Sequence, residues 1–430
     1  MKTGFATAVG CLILAVLVSI VVPEASYVAA VCGLVALVLG LPRVRRGQRM
    51  IGFALIGTGL LAGALAVLLG HEIEPLSLLN LNQDLVGMLG AVAFLGFIAR
   101  TVGEVRPRLR GVPAVLRTMF VTHLLGSVIN MSAATVVADH LRRGRTLHPA
   151  DSVIVVRGFA TGGFWSPFWA GAALALVFAP TANIGLVVLV GAPLAAIVLV
   201  VTVPTILRLL GDELPEYRGY AISWHLLRIP LVLMVAVLVL HVLLPEVTMP
   251  RLVALSAIAV LLVYTVVAGR RQAPRILYQE LRTVLPALGG EVVLFVSAGI
   301  MALGLTALLS TLRFELPFDS YSVWLAWASI AVIVLFALIG VHQVISIGII
   351  GSLVLPMNPD PTLFMLSAII GHGVSAAVGP LTGLQMYMQG RYGVNGLDTT
   401  RRNIPYMIAT LVLAVPALLL AQWLSGIVTG

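Results

Sequence analysis

Side chains able to do chemistry are scarce in this sequence, and they gather at four interruptions of otherwise apolar runs. Two interruptions are tips, Asn130-Met-Ser-Ala-Ala-Thr135 and Gly340-Val-His-Gln-Val-Ile-Ser346. Two are breaks, GGFWSPFWAG at Gly162–Gly171 and GHGVSAAVGPLTG at Gly371–Gly383. Together they offer Asn130, Ser132, Thr135, Ser166, His342, Gln343, Ser346, Ser375 and Thr382, which are amides, hydroxyls and one titratable imidazole. None contains an aspartate or glutamate. Glycine and proline are the residues least suited to a helix interior. A helix that breaks at membrane depth must satisfy its freed backbone groups against protein or water. Broken ends meeting at one point direct N–H groups and positive dipole ends toward it, which suits an anion. The opposing carbonyls suit a small cation. Gly163, Gly373 and Gly379, with Asn130 and His342, are the residues expected to carry a coupling ion. A sodium ion, if that is the ion, would sit at the tips; no other metal or cofactor is expected.

Arg157, in VIVVRGF shortly before the first break, is the sharpest single residue. A charge at that depth costs about 2.5–3.5 kcal/mol on insertion scales, so it needs a partner, water or ligand. Either it binds an anion, or it snorkels to the cytoplasmic face or pairs with Asp151. His342 either carries a coupled proton or stays neutral and bonds the tip backbone. His123 reads as packing on an arm, and His372 stands at the edge of the second break. Glu291, in LGGEVVLF, reads as a helix-start acid near the cytoplasm. Trp165 and Trp169 either wall the cargo or pack the irregular turn. Asp139 is expected to pair with Arg142 or Arg143.

The elements that must position these residues are membrane helices. With 60% hydrophobic and 10% charged residues in 430, an ordinary soluble globule and a disordered chain are both excluded. Runs long enough to cross a bilayer, about 17–25 residues, recur at Gly4–Val22, Ile51–Gly70, Asn183–Leu210, Leu231–Leu244, Leu252–Ala268 and Ile404–Ser425. An all-α polytopic membrane protein follows, with the lipid bilayer as a partner. The net charge of +9 lies in short arginine-rich loops, as cytoplasmic loops do, so nucleic acid is not an expected partner. Cys11 and Cys32 sit in apolar runs and support neither a disulfide framework nor a thiolate metal site. Gly4–Val22 reads as a retained span rather than a signal peptide.

Basic connections at Arg43–Arg49, Arg100–Arg110, Arg142–Arg145, Arg270–Arg282 and Arg391–Arg402 alternate with acidic or neutral ones. Placed inside, they predict about eleven crossings, the N-terminus inside and the C-terminus outside. The run 112–141 has arginines at both ends and therefore reads as a re-entrant hairpin, and 321–356 has acids at both ends and reads as one entering from outside. Residues 1–26 then form a leading span. A first unit covers 27–210, with its broken helix at 150–179; a cytoplasmic linker covers 211–222. A second covers 223–430, with its broken helix at 362–394. The units have inverted topology, and matched breaks in such units point to a binding site near the bilayer midplane.

On the two tips and on Ser166-Pro167-Phe168 and Gly379-Pro380-Leu381-Thr382-Gly383, the chain resembles the ion transporter superfamily. Within it, the chain is most similar to divalent-anion:sodium symporters and arsenite-permease-like transporters. The symporters carry Ser-Asn-Thr at both tips; here Asn130, Ser132 and Thr135 echo it, and His342-Gln343 replaces the second asparagine. The resemblance implies a homodimer and an elevator-like movement of hairpins and broken helices. No P-loop, H-E-x-x-H or nucleophile elbow is present, so an enzyme is not expected and a gradient must drive transport. The expected function is symport of a small, carboxylate-like organic anion with sodium or protons across the cytoplasmic (inner) membrane. Arg157 would be a countercharge. The rival readings are a sodium/proton antiporter using His342 or Glu291, and an intramembrane enzyme or structural subunit.

Overall fold

The computed structural model of the chain describes residues 2–72, 79, 82–96, 109–142, 146–220, 224–269, 273–312, 316–318 and 320–429. Among the loop charges used to orient the chain, Arg106, Arg108, Arg143, Arg145, Arg270, Arg271, Glu315 and Asp319 lie outside the described residues. So does most of the acidic connection His71–Asp84.

The described chain is helical. First come α1 (Lys2–Val18), α2 (Ala25–Gly40), α3 (Arg46–Leu68) and α4 (Gln83–Ala93). α5 (Val112–Ile129) and α6 (Met131–Arg142) flank the first tip, and α7 (Pro149–Gly162) and α8 (Ala170–Phe178) flank the first break. There follow α9 (Ile184–Leu210), α10 (Trp224–Leu243), α11 (Met249–Gly269), α12 (Ala273–Ala287) and α13 (Gly289–Thr311). α14 (Val323–Leu338) and α15 (Gln343–Val354) flank the second tip. α16 (Pro361–Val378) and α17 (Gly383–Tyr392) flank the second break, and α18 (Gly396–Thr429) comes last. Seven of the described helical stretches are long and apolar enough to cross a bilayer.

Local chemistry sets the starts of these helices. His148 accepts from the Ala150 N–H, 3.2 Å, just before Pro149 opens α7. Asp360 accepts from the Leu363 N–H at 2.7 Å just before Pro361 opens α16. Proline loses nothing at a first helical position, because that N–H has no intrahelical partner. Asn183 and Ser322 cap α9 and α14 in the same way.

The helices fall into two compact units, each drawn from several stretches of chain. The first holds 1–98, 232–319 and 348–358. Inside it α3 and α13 meet backbone to backbone, and a side chain at Gly304 would collide with the Gly59 carbonyl. Such small-residue crossings let membrane helices approach closely. Glu291 stands in the first turn of α13. Asp84 is held by Arg251 at 2.8 Å.

The second unit holds 99–231, 320–347 and 359–430, and so both breaks and both tips. The connection after α9 folds back onto this unit. Tyr217 donates to Asp151 at 2.8 Å, and its carbonyl accepts from the Gly111 N–H. Burial first, and then the Asp151 charge, push the Tyr217 phenol above its usual range, so it stays a donor.

Candidate functional site

The first break is braced by its neighbour α5. Gly158 and Gly162, one helical turn apart on α7, face Thr122 and Gly126 of α5. A methyl on Gly162 would stand 2.8 Å from the Ser127 amide nitrogen. Trp165 donates through its indole to His123 Nε2 at 3.1 Å. An indole only donates, so His123 carries its proton on Nδ1. That proton goes to Thr161 Oγ1 at 3.0 Å, and the Thr161 hydroxyl donates to the Arg157 carbonyl at 2.9 Å. Trp169 donates to the Gly126 carbonyl at 2.8 Å. The Ser166 hydroxyl donates to the Ser127 carbonyl and accepts the Phe168 N–H at 3.2 Å. Both tryptophans therefore serve as braces, and His123 is a neutral link between Trp165 and α7.

The second break is capped by side chains. A helix end leaves its last carbonyls without intrahelical partners, and here four are met in turn. Thr382 donates to Ala376 and Gly379, at 3.2 and 3.0 Å. Gln385 and Asn403 donate to Ala377 at 2.8 and 3.2 Å. Thr400 donates to Val378 at 2.6 Å. Ser375 turns to the Ile333 carbonyl of α14, 3.3 Å away.

Arg157 joins the two. It is fully buried, 0% exposed. Its Nε donates to Asn403 Oδ1 at 2.8 Å, and one terminal nitrogen donates to the Thr202 carbonyl (2.9 Å) and Thr205 Oγ1 (2.5 Å). The other donates to the Arg402 carbonyl at 2.8 Å, and the guanidinium lies 5.9 Å from the Tyr406 ring centre. The residue therefore neither snorkels to an exposed face nor pairs with Asp151. Neutral oxygens and a π-face offset its charge instead. Asn403, held by Arg157 and holding Ala377, ties the first broken helix to the end of the second.

The breaks also touch directly. A methyl on Gly171 would stand 2.6 Å from His372, and one on Gly373 would stand 2.7 Å from Phe164 and 2.8 Å from the Ala160 carbonyl. Trp169 meets His372 edge-on at 5.8 Å. Gly163 has no room for a side chain against Trp169. Gly379, extended at φ −74 and ψ 118, gives its N–H to Ser375 at 2.8 Å.

At the first tip Asn130 joins α5 to α6 with φ 51 and ψ −137, a region glycine prefers. Asn130 and Ser132 are partly buried. Asn130→Gly is expected to raise the melting temperature of detergent-solubilised protein, and Asn130→Val to destabilise it by about 1–3 kcal/mol. Thr135 is engaged with Tyr387 of α17, 2.7 Å away. Asp139 pairs with Arg391 at 2.7 Å, and Arg143 lies outside the described residues. At the second tip Gly340 turns the chain with φ 93, and His342 Nδ1 accepts the Val344 N–H at 3.3 Å. Gln343 Oε1, Ser346 Oγ and His372 Nδ1 are buried without a partner.

Asn403, Thr400, Gln385 and Tyr406 escaped sequence reading. For Thr400, Asn403 and Tyr406 the signal is a cluster of polar groups at the start of the long apolar run of α18, and for Gln385 only a glutamine shortly after the second break.

No family model matches the chain, and no curated protein matches it. Its structure is similar to that of the Alcanivorax borkumensis YdaH transporter, whose topology is unusual, with a TM-score of 0.51 and 14% identity. The likeness covers 87% of this chain and 98% of that one. The chain is a multi-pass membrane protein whose fold is similar to that of a solved transporter.

Proposed function

We propose that the chain is a secondary active transporter for a small, carboxylate-like organic anion, coupled to sodium or protons, in the cytoplasmic membrane. One observation carries this reading: two broken helices meet in one compact unit, and no side chain caps the restarted helices α8 and α17. Free N–H groups at such starts favour an anion where water is excluded. The unpartnered Gln343, Ser346 and His372 lie in the same unit, and the fold likeness to a transporter supports the class. On this reading Asn130, Ser132, Gln343 and Ser346 contact cargo and coupling ion. Arg157, Ser166 and Thr382 hold the breaks in shape around them. The chain makes about eleven crossings, α5–α6 and α14–α15 dip in from opposite faces, and a homodimer works by an elevator movement of the second unit.

Counterflow in proteoliposomes across a panel of mono- and dicarboxylates, under a sodium or proton gradient, tests this. Uptake of at least one carboxylate that collapses with the gradient is the expected result. Proton movement driven by sodium alone, with no carboxylate flux, would transfer the role to an antiporter.

A further inference from the structure

α6 carries Ser132 near one end and Asp139 near the other, and the two ends are held very differently. At the Ser132 end the chain enters from Asn130, whose backbone is strained for a residue with a Cβ. Along its length α6 lays only small residues, Ala133, Ala134, Val137 and Ala138, into the unit. At the far end α17 reaches across with three long side chains. Arg391 grips Asp139 with two nitrogens, 3.2 and 2.7 Å from its two oxygens. Tyr392 donates to Asp139 at 2.9 Å, and Tyr387 meets the Thr135 hydroxyl at 2.7 Å. His140 adds an edge-on contact to Tyr220 at 5.0 Å. The fork-to-fork geometry gives this grip direction. The pair is 47% and 43% exposed, however, and half-exposed ion pairs are cheap to break. The braces of the first break, by contrast, are buried throughout.

We infer that Met131–Arg142 is a gate hinged at Asn130, and that Asp139–Arg391, with Tyr392 and the Thr135–Tyr387 pair, is the latch holding it shut. A strained hinge beside a weakly bonded, small-faced helix is the arrangement that lets one element move while its neighbours stay packed. Opening would uncover Ser132 and leave both breaks intact. The inference rests on the transporter reading, because a gate needs a passage.

The test uses full-length protein in proteoliposomes, with Cys11 and Cys32 replaced by serine and Ser132→Cys as reporter. The rate at which a membrane-impermeant maleimide modifies the reporter measures opening. Asp139→Asn and Arg391→Gln are each expected to raise that rate by up to about fivefold, the largest factor that a lost half-exposed pair commands. The charge swap, D139R with R391D, is expected to bring it back toward the parent value. Equal rates in parent and neutralised variants would overturn the latch, as would a swap that labels as fast as either single variant. Labelling needs no cargo, so a normal labelling pattern in the reporter protein, together with no flux of any carboxylate through the parent protein with Ser132 intact, would sink the transporter reading alone. Monodisperse elution of each variant in detergent guards against misfolding, and the swap keeps the comparison decisive if one single variant fails to fold.

Discussion

Arg157→Met is expected to cut gradient-driven uptake below about one-tenth of the parent, the factor that about 1.4 kcal/mol of misplacement commands. The reason lies in what the guanidinium holds. Asn403 Oδ1 loses its partner outright, while the Thr202 carbonyl keeps the Thr205 hydroxyl, 2.8 Å away. Each buried acceptor left open costs about 1–3 kcal/mol. With Asn403 released, the end of α16 loses one of the two donors on Ala377. Lysine should not rescue: its ammonium is a compact point charge and cannot reproduce a planar fork that spans three helices. Asn403→Asp separates bridge from charge. It keeps an oxygen for Arg157 and loses the donor to Ala377, so intermediate uptake is expected. Melting temperature and uptake measured together check this. A methionine variant with parental uptake would show that the bridge is dispensable.

The elements were largely legible in the sequence, and the partners were not. Apolar run length announced the helices, and glycine, proline and asparagine announced where they stop, because those residues act on the backbone at their own position. The tips at Asn130 and Gly340 and the breaks at Ser166-Pro167 and Gly379-Pro380 are of this local kind. Partnerships are not local. Asp139 finds Arg391 252 positions away, and Arg157 finds Asn403 246 positions away. Before folding, Asn403 is one more polar residue beside basic ones at a membrane edge. The structure turns it into a cap for a carbonyl 26 residues back. Similarly, nothing along the chain marks Ser166 and Thr382 as bound to backbone while Gln343 and Ser346 are left with open atoms.

Gly162→Val should be as damaging as the loss of Arg157, by a different route. The atoms that a side chain at Gly162 would meet are backbone: the Ser127 nitrogen at 2.8 Å, its Cα at 3.1 Å and the Gly126 carbonyl carbon at 3.2 Å. A flexible neighbour can rotate away, but main chain in the last turn of α5 cannot, so this end of α5 must be pushed off α7. Overpacking of this kind costs about 1–3 kcal/mol. The displacement also pulls the Gly126 and Ser127 carbonyls from Trp169 and Ser166, two of the bonds that fix the first break. The expected result is a lower melting temperature together with uptake near background. Gly57→Ala on α3 is the matched control. A methyl there meets nothing within 4 Å, and alanine favours a helix over glycine by up to about 1 kcal/mol. Its uptake should equal the parent's. If Gly162→Val transports normally, the close crossing of α5 and α7 is not what holds the first break in place.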